Sequence, residues 1–203
     1  LSDKRVGVIG AGVSNMPLIR MLRASGVRVT VHDKKEPTEL GDGYATLATL
    51  GVDFVLGEHY LDALDEDALV NILTEPIWSE RTGPFGRGPK RGAAPGVRFD
   101  DLPKIDVVVI SHNHYDHMDI ATLKRLWTRD KPLIVTGLGN DSILRANGMD
   151  ATALDWGQRT EIKPGVAVAV TRNHHWGSRW FADRNRALWS SFTFILPGGN
   201  VFF

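Results

Sequence analysis

The sequence contains no cysteine in its 203 residues. Disulfide bonds and thiolate metal sites are therefore excluded, which leaves histidine and carboxylate side chains as strong metal ligands. No uncharged apolar run reaches the ~20 residues of a transmembrane helix, and the chain does not open with the apolar core of a signal peptide. The formal net charge is zero, so nothing favours bulk attraction to nucleic acid. We expect a cytoplasmic protein with no nucleic-acid partner and no transmembrane segment.

One stretch combines a predicted buried strand with a cluster of metal-binding residue types. Apart from Asp106, residues 105–110 are apolar and β-branched, and they are followed closely by His112, His114, Asp116 and His117. Side chains at i and i+2 of an extended chain share a face, so the first two histidines can reach one point. Zinc accepts imidazole and carboxylate ligands. The stretch predicts a metal site at the carboxyl end of a strand, and a solvated histidine-rich turn is the alternative.

The H-x-H-x-D-H pattern of residues 112–117 resembles the metallo-β-lactamase superfamily of hydrolases. Further motifs resemble the branch that contains the N-acyl-phosphatidylethanolamine phospholipases D, and they occur in the expected order at residues 72–79, 88–91, 102–106, 175–176 and 183–189. The resemblance covers about residues 71–203. It implies half of an αββα fold and hydrolysis of phosphodiester or similar ester bonds.

The same resemblance implies roles for the histidine cluster. His175 would complete the first metal's three-histidine set, although the neighbouring His174 competes with it. Asp116 would orient or deprotonate a metal-bound water, and with His117 it would belong to a second metal site. That second site also needs a bridging aspartate and a late histidine, and no histidine follows His175. We therefore expect one zinc ion rather than two, and an impaired hydrolase.

Residues 6–33 predict a strand, a glycine loop, a helix and a second strand. Gly10 and Gly12 permit a tight turn and close approach of a phosphate to the helix N-terminus. Asn15 occupies the place of the third glycine in the G-x-G-x-x-G pattern. A structural turn and a phosphate-binding loop are both consistent with this sequence.

A second resemblance covers about residues 3–70. Residues 10–15, 29–35 and 51–59 resemble the N-terminal, uridine-nucleotide-binding domain of the muramoyl-alanine–glutamate ligases. The resemblance implies that Val13 and Ser14 lie by the diphosphate of the nucleotide, with Asp33 and Lys34 near the uracil. The ligases' ATP-binding domain and its G-K-[ST] loop are absent from the sequence. Ligase activity is therefore not expected.

The two resemblances meet near residues 69–72, and we interpret the chain as a designed or recombined chimera. We predict an α/β fold in which a Rossmann-like segment, residues 1–70, is joined to a half metallo-β-lactamase domain, residues 71–203. Strands near 6–10, 27–32, 52–56, 71–77, 105–111 and 133–136 should share one parallel or mixed sheet. Residues 151–203 should be mostly antiparallel.

Residues 79–98 are rich in glycine, proline and basic residues and predict a loop. This loop is either a solvated surface loop or a basic flap that receives a small phosphate-bearing substrate. Three functions therefore remain open: a zinc-dependent hydrolase, a uridine-nucleotide-binding module, and a chimera without selected activity.

Overall fold

The computed structural model describes residues 5–12, 15–60, 70–197 and 199–203. These residues form two compact units. The first unit contains the described residues up to Tyr60 together with Gly96–Pro103, and the second contains Val70–Pro95 and Lys104–Phe203. No helix in the described ranges is long and apolar enough to cross a membrane.

The first unit is built on a parallel sheet in the order β1-β2-β3. Its elements are β1 (Arg5–Ile9), α1 (Met16–Ala24), β2 (Arg28–Asp33), α2 (Pro37–Leu40), α3 (Asp42–Thr49) and β3 (Asp53–Leu56). Helix α1 begins with Pro17 in its first turn, where a missing N–H costs little. Its buried residues, Ile19 and Leu22, lie three positions apart and so on one face of the helix.

The second unit contains two sheets. The parallel sheet has the order β4-β5-β6-β7, and the antiparallel sheet has the order β11-β10-β9-β8. The elements of the parallel part are β4 (Ile72–Thr74), β5 (Val107–Ile110), α4 (Ile120–Asp130), β6 (Leu133–Gly137), α5 (Asn140–Ala146) and β7 (Thr152–Leu154). The antiparallel strands are β8 (Arg159–Lys163), β9 (Val166–Arg172), β10 (Ser190–Leu196) and β11 (Gly199–Phe202).

The core of the second unit lies between these two sheets. It consists of fully or almost fully buried side chains from both, namely Val107, Val109, Val135, Val168, Val170, Phe192 and Phe194. All four residues of β5 are buried, which explains why its sequence is continuously apolar instead of alternating. Each such side chain contributes about 1.5–3 kcal/mol on burial. The strand that leads into the histidine cluster is therefore held firmly.

Helix α4 begins directly after Asp119, an aspartate placed before apolar residues at helical spacing, which is typical of an N-cap. The Asp119 carboxylate accepts hydrogen bonds from the backbone N–H groups of Ala121 and Thr122, and also from Ser79. The helix ends at Asp130, and its C-cap residue, Lys131, adopts a left-handed conformation. Asp119 therefore joins the segment after β4 to the start of α4.

The α/β fold class is confirmed, but the prediction of one sheet shared across the joint is wrong. Among the described residues β3 pairs with β2, and β4 pairs with β5. The reason is that each unit buries its own apolar strand faces, so β4 completes the sheet of the second unit. A smaller correction concerns β7, which pairs with β6 in parallel although residues 151–154 were expected to join the antiparallel run.

Candidate metal centre

Three imidazole rings converge just beyond the carboxyl end of β5. The Nε2 atom of His112 lies 2.8 Å from Nδ1 of His114 and 3.0 Å from Nε2 of His175. His112 is buried, His114 is half-buried and His175 is exposed, so the cluster opens to solvent on one side. The structure thus brings together the three residues predicted for the first metal.

His175 lies in the connection between β9 and β10, 63 positions after His112. Gly177, two residues after His175, allows this connection to approach closely, because a Cβ there would lie 3.0 Å from the carbonyl oxygen of Ala187 and 3.2 Å from Oδ1 of Asn113. Asp183 braces the same connection by accepting hydrogen bonds from the backbone N–H groups of Arg179 and Trp180. His174 is exposed and lies outside the convergent groups.

The hydrogen bonds around His112 define which of its ring nitrogens carries a proton. Glu75 accepts a short hydrogen bond from the Ser111 hydroxyl, whose oxygen lies 2.7 Å from Nδ1 of His112. With its proton directed at the carboxylate, the hydroxyl accepts from Nδ1–H. Nε2 of His112 is then unprotonated, and its lone pair points into the cluster.

The imidazole nitrogens of the cluster are better arranged to bind a metal ion than to form hydrogen bonds with one another. Nε2 of His112 has one lone pair, yet ring nitrogens of His114 and His175 both lie within hydrogen-bonding distance of it. One of these contacts is left without a proper hydrogen bond. Tetrahedral zinc with bonds of about 2.0–2.1 Å brings its ligand nitrogens to about 3.3 Å of one another, close to the separations seen here.

Burial keeps these ligands neutral. Burial, reinforced by the neighbouring histidines His117, His114 and His175, lowers the pKa of His112 from 6.5 to about 3. Burial also lowers the pKa of His114, with a further contribution from His175. Metal binding requires deprotonated imidazole, so both rings are in the binding form at neutral pH.

Glu75 is a member of this site that the sequence reasoning missed. Its Oε2 lies 2.7 Å from Nδ1 of His117, and its Oε1 accepts from the backbone N–H and the hydroxyl of Ser111. The residue has a φ of 44°, an uncommon backbone conformation for a side chain with a Cβ. Parallel pairing of β4 with β5 places their carboxyl ends side by side. An acidic residue directly after a strand next to β5 was the available indication.

The Glu75–His117 contact is an ion pair with linked titration. Burial favours the neutral form of Glu75, but hydrogen bonds from His117 and Ser111 outweigh it and lower its pKa. The hydrogen bond to Glu75 raises the pKa of His117 above 6.5. Ligand atoms of Glu75, His112 and His117 lie within 4.8 Å of one another, so they form a second group that could hold a metal.

Asp116 lies at the edge of the cluster. One carboxylate oxygen is 3.7 Å from Nε2 of His117, and the side chain is 64% exposed. It belongs to neither of the convergent groups of the described residues. Its predicted roles, as a catalytic residue and as a metal ligand, stay predictions.

Two side chains of the first unit form hydrogen bonds with the described backbone around the glycine loop. The Asp33 carboxylate accepts from the backbone N–H groups of Ala11 at 2.6 Å and Lys35 at 2.9 Å. The Asn15 amide donates to the carbonyl oxygens of Ile9 and Gly10.

The other residues predicted to contact a nucleotide differ in how far the structure describes them. Gly10 has a φ of 94°, as a tight turn requires. Gly12 has open space around its Cα, and Lys34 is exposed. Val13 and Ser14 lie outside the described residues.

The basic loop predicted at residues 79–98 is held by its own hydrogen bonds. The Arg91 guanidinium donates to the carbonyl oxygens of Ile77 and Ser79, and Lys90 pairs with Glu80 at 2.7 Å. Arg81 donates to the carbonyl oxygen of Gly88 and also lines a cleft.

Comparison with known proteins places the second unit in a family. The model of the beta-lactamase superfamily domain matches residues 70–203. An uncharacterised protein of Mycobacterium tuberculosis is 37% identical over 136 residues, which are 65% of this chain and 36% of that protein. The N-acyl-phosphatidylethanolamine-hydrolyzing phospholipase D 1 of Caenorhabditis elegans is 33% identical over 146 residues, or 66% of this chain and 41% of that protein.

The chain therefore spans little more than a third of the length of these curated relatives. A UDP-N-acetylmuramoylalanine–D-glutamate ligase of Clostridium botulinum is 53% identical over 62 residues, or 30% of this chain and 14% of the ligase. Among solved structures, the isothiocyanate hydrolase from Delia radicum gut bacteria aligns with a TM-score of 0.47 and 22% identity, covering 64% of this chain and 53% of that one.

Proposed function

Because the chain belongs to the β-lactamase superfamily, we propose that its second unit is a metal-dependent hydrolase whose His112, His114 and His175 hold one zinc ion. The observation that carries this proposal is the hydrogen-bond chain from Glu75 through Ser111 to Nδ1 of His112. It leaves Nε2 of His112 unprotonated and directed at the other two rings. A solvated histidine-rich turn would not need such an arrangement.

Zinc held by three imidazoles would supply a Lewis acid and a water acidified to a pKa of about 7. The chain's own residues would prepare for this chemistry in separate ways. Glu75 and Ser111 orient His112, and burial keeps His112 and His114 neutral. Asp116, exposed at the edge of the cluster, would accept the proton of the attacking water.

We propose phosphodiester or similar ester bonds in a small phosphate-bearing molecule as the substrate class. The support is the 33% identity to a protein named for hydrolysing N-acyl-phosphatidylethanolamine. The yeast protein of the same name, from Saccharomyces cerevisiae, is 31% identical over 138 residues, or 66% of this chain and 30% of that protein.

Zinc uptake tests the proposal directly. Protein purified without chelator and supplied with zinc at neutral pH should hold about one ion, measured by elemental analysis. His112→Ala or His114→Ala should abolish stoichiometric uptake, because two nitrogens cannot close the site. His174→Ala is the matched control and should retain it, and His117→Ala should keep the first ion as well. A wild-type protein that stays metal-free would overturn the proposal.

Turnover is tested separately with a chromogenic phosphodiester in the presence of zinc. We expect slow hydrolysis that is lost in His112→Ala and retained in His174→Ala. Stoichiometric zinc without turnover would contradict the hydrolase assignment while leaving the metal site intact.

A second candidate function belongs to the first unit. The 53% identity to a ligase named for a uridine nucleotide substrate supports uridine-nucleotide binding. However, the Asp33 carboxylate is already engaged by Ala11 and Lys35. We therefore expect binding no tighter than tens of micromolar, roughly 6 kcal/mol. Calorimetry with uridine diphosphate sugars checks this, and sub-micromolar binding would contradict it.

We also propose that the chain is a recombined or designed chimera. The support is a family match over residues 70–203 beside a 62-residue match to an unrelated ligase. A chimera without selected activity should melt cooperatively, yet neither hydrolyse esters nor bind nucleotide. Measured activity at either site would exclude the version without activity.

A further inference from the structure

The second unit contains a cleft that the metal centre does not use. Its volume is about 230 Å³, and it lies between the loop around Phe85 and the first turn of α4. The Arg179 guanidinium and Tyr115 form part of its wall, and Arg81 also lines it. Tyr115 directly follows His114, so the cleft adjoins the histidine turn.

No carboxylate of the described residues forms an ion pair with the Arg179 guanidinium. Its Nη1 donates to the carbonyl oxygens of Asn113 and Met118, both at 3.0 Å. The guanidinium carbon lies 4.1 Å from the centre of the Tyr115 ring. In the described parts of the chain it makes no ion pair with a carboxylate within 4.0 Å.

The two carboxylates whose charges act on Arg179 are engaged elsewhere. Asp119 accepts hydrogen bonds from Ser79 and Thr122. Asp183 accepts from the backbone of Arg179 and from the hydroxyl of Ser178. Both act on Arg179 only at longer range, and burial lowers the pKa of the guanidinium despite them.

A partly buried guanidinium with unused donors is well suited to an external anion. Arginine has five N–H donors in a planar fork, and the two carbonyl bonds here use only Nη1. The charged residues that line the cleft are Arg81, Asp119 and Arg179, which leaves one excess positive charge. A two-oxygen anion can pair with the guanidinium fork and offset the cost of burying it.

We propose that this cleft binds an oxyanion, a phosphate or a carboxylate group, through Arg179. Binding at this place does not require the metal, so the inference goes beyond the proposed hydrolase function. The alternative is that Arg179 only braces the histidine turn through its two carbonyl bonds.

The test uses the full chain, freed of metal, titrated with inorganic phosphate, acetate and chloride at constant ionic strength by calorimetry. We expect saturable binding of phosphate or acetate and none of chloride. The oxyanion that binds more tightly identifies the ligand class. Arg179→Met should weaken binding at least about tenfold, because a charge-assisted bidentate contact is lost. Arg184→Gln, in the same connection but stacked on Trp176, should bind like the wild type.

A second pair of variants separates binding from bracing. Ala121 and Arg179 both line the cleft, so Ala121→Asp would add a negative charge to the cleft without removing the two carbonyl acceptors of Arg179. An acidic residue in the first turn of α4 is compatible with the helix. Ala121→Asp should therefore abolish binding with an unchanged melting temperature, whereas Ala121→Asn should retain it. No saturable binding in the wild type, or equal binding by Ala121→Asp and Ala121→Asn, would overturn the proposal.

Discussion

Two polar clusters in this protein occupy equivalent places, and they use their polar atoms differently. The glycine loop after β1 and the histidine turn after β5 both follow the carboxyl end of a parallel strand. In the first, the side chains of Asp33 and Asn15 form hydrogen bonds with backbone groups of Ala11 and Ile9. In the second, the single lone pair of His112 Nε2 faces ring nitrogens of both His114 and His175, at 2.8 Å and 3.0 Å. Unsatisfied atoms distinguish a prepared site from a structural turn.

The largest effect that would test this contrast is the pH dependence of stability in the metal-free chain. His112 has a native pKa of about 3. Below about pH 6.5, His112 therefore binds a proton in the unfolded chain but not in the native state. Stability should then fall by about 1.4 kcal/mol per pH unit as the pH drops from about 6 to about 4. Denaturant unfolding at several pH values measures this slope, which should be shallower in His112→Asn.

His117 should act in the opposite direction at higher pH. Its native pKa is raised, so its stabilising contribution is complete below about pH 6.5 and is lost as the pH rises through the native value. The ion pair with Glu75 is the cause, and Glu75→Gln should remove this alkaline loss. If both His112→Asn and Glu75→Gln had the same pH profile of stability as the wild type, the contacts described here would be contradicted.

A smaller effect is expected on zinc affinity when the support for His112 is weakened. Glu75→Gln keeps the shape of the side chain but removes its negative charge. The carboxylate is the group that accepts hydrogen bonds from Ser111 and His117. Loss of such a supporting carboxylate lowers metal affinity about 10–100-fold, measurable by competition with a zinc chelator. Glu80→Gln, which alters a 67% exposed partner of Lys90, is the matched control and should leave affinity unchanged. Equal affinities in the two variants would remove Glu75 from the site.

The smallest effect is expected in the glycine loop. Asp33→Ala removes the acceptor of the Ala11 and Lys35 N–H groups, a loss of about 1–2 kcal/mol. Amide hydrogen exchange at residues 11 and 35 should become about 5–30-fold faster. Asp53→Asn, at an exposed position of β3, should leave both amides unchanged. If exchange stays slow in Asp33→Ala, the Asp33 carboxylate does not protect these two amides and is free to bind a ligand in the wild type.

Local patterns were enough to predict most elements of this fold. The continuous apolar run of β5, the N-cap at Asp119 and the glycine turn at Gly10 each depend on a few neighbouring residues, and all three are found. Pairing across the joint could not be predicted in the same way. Whether β4 joins β3 or β5 depends on which apolar faces are already buried, and that is a property of whole units.

The sequence by itself determined that His112 and His114 lie on one face, because the period of an extended chain is two residues. It also indicated the family, through motifs that the match over residues 70–203 confirms. Only the tertiary structure decided that His175 closes the cluster, that Glu75 and Ser111 fix the proton on His112, and that Asp33 is occupied. Apart from the contact between the neighbours Ser111 and His112, these contacts join positions 22 to 63 residues apart. They exist because the strands and connections of each unit pack in one particular way, which local spacing does not specify.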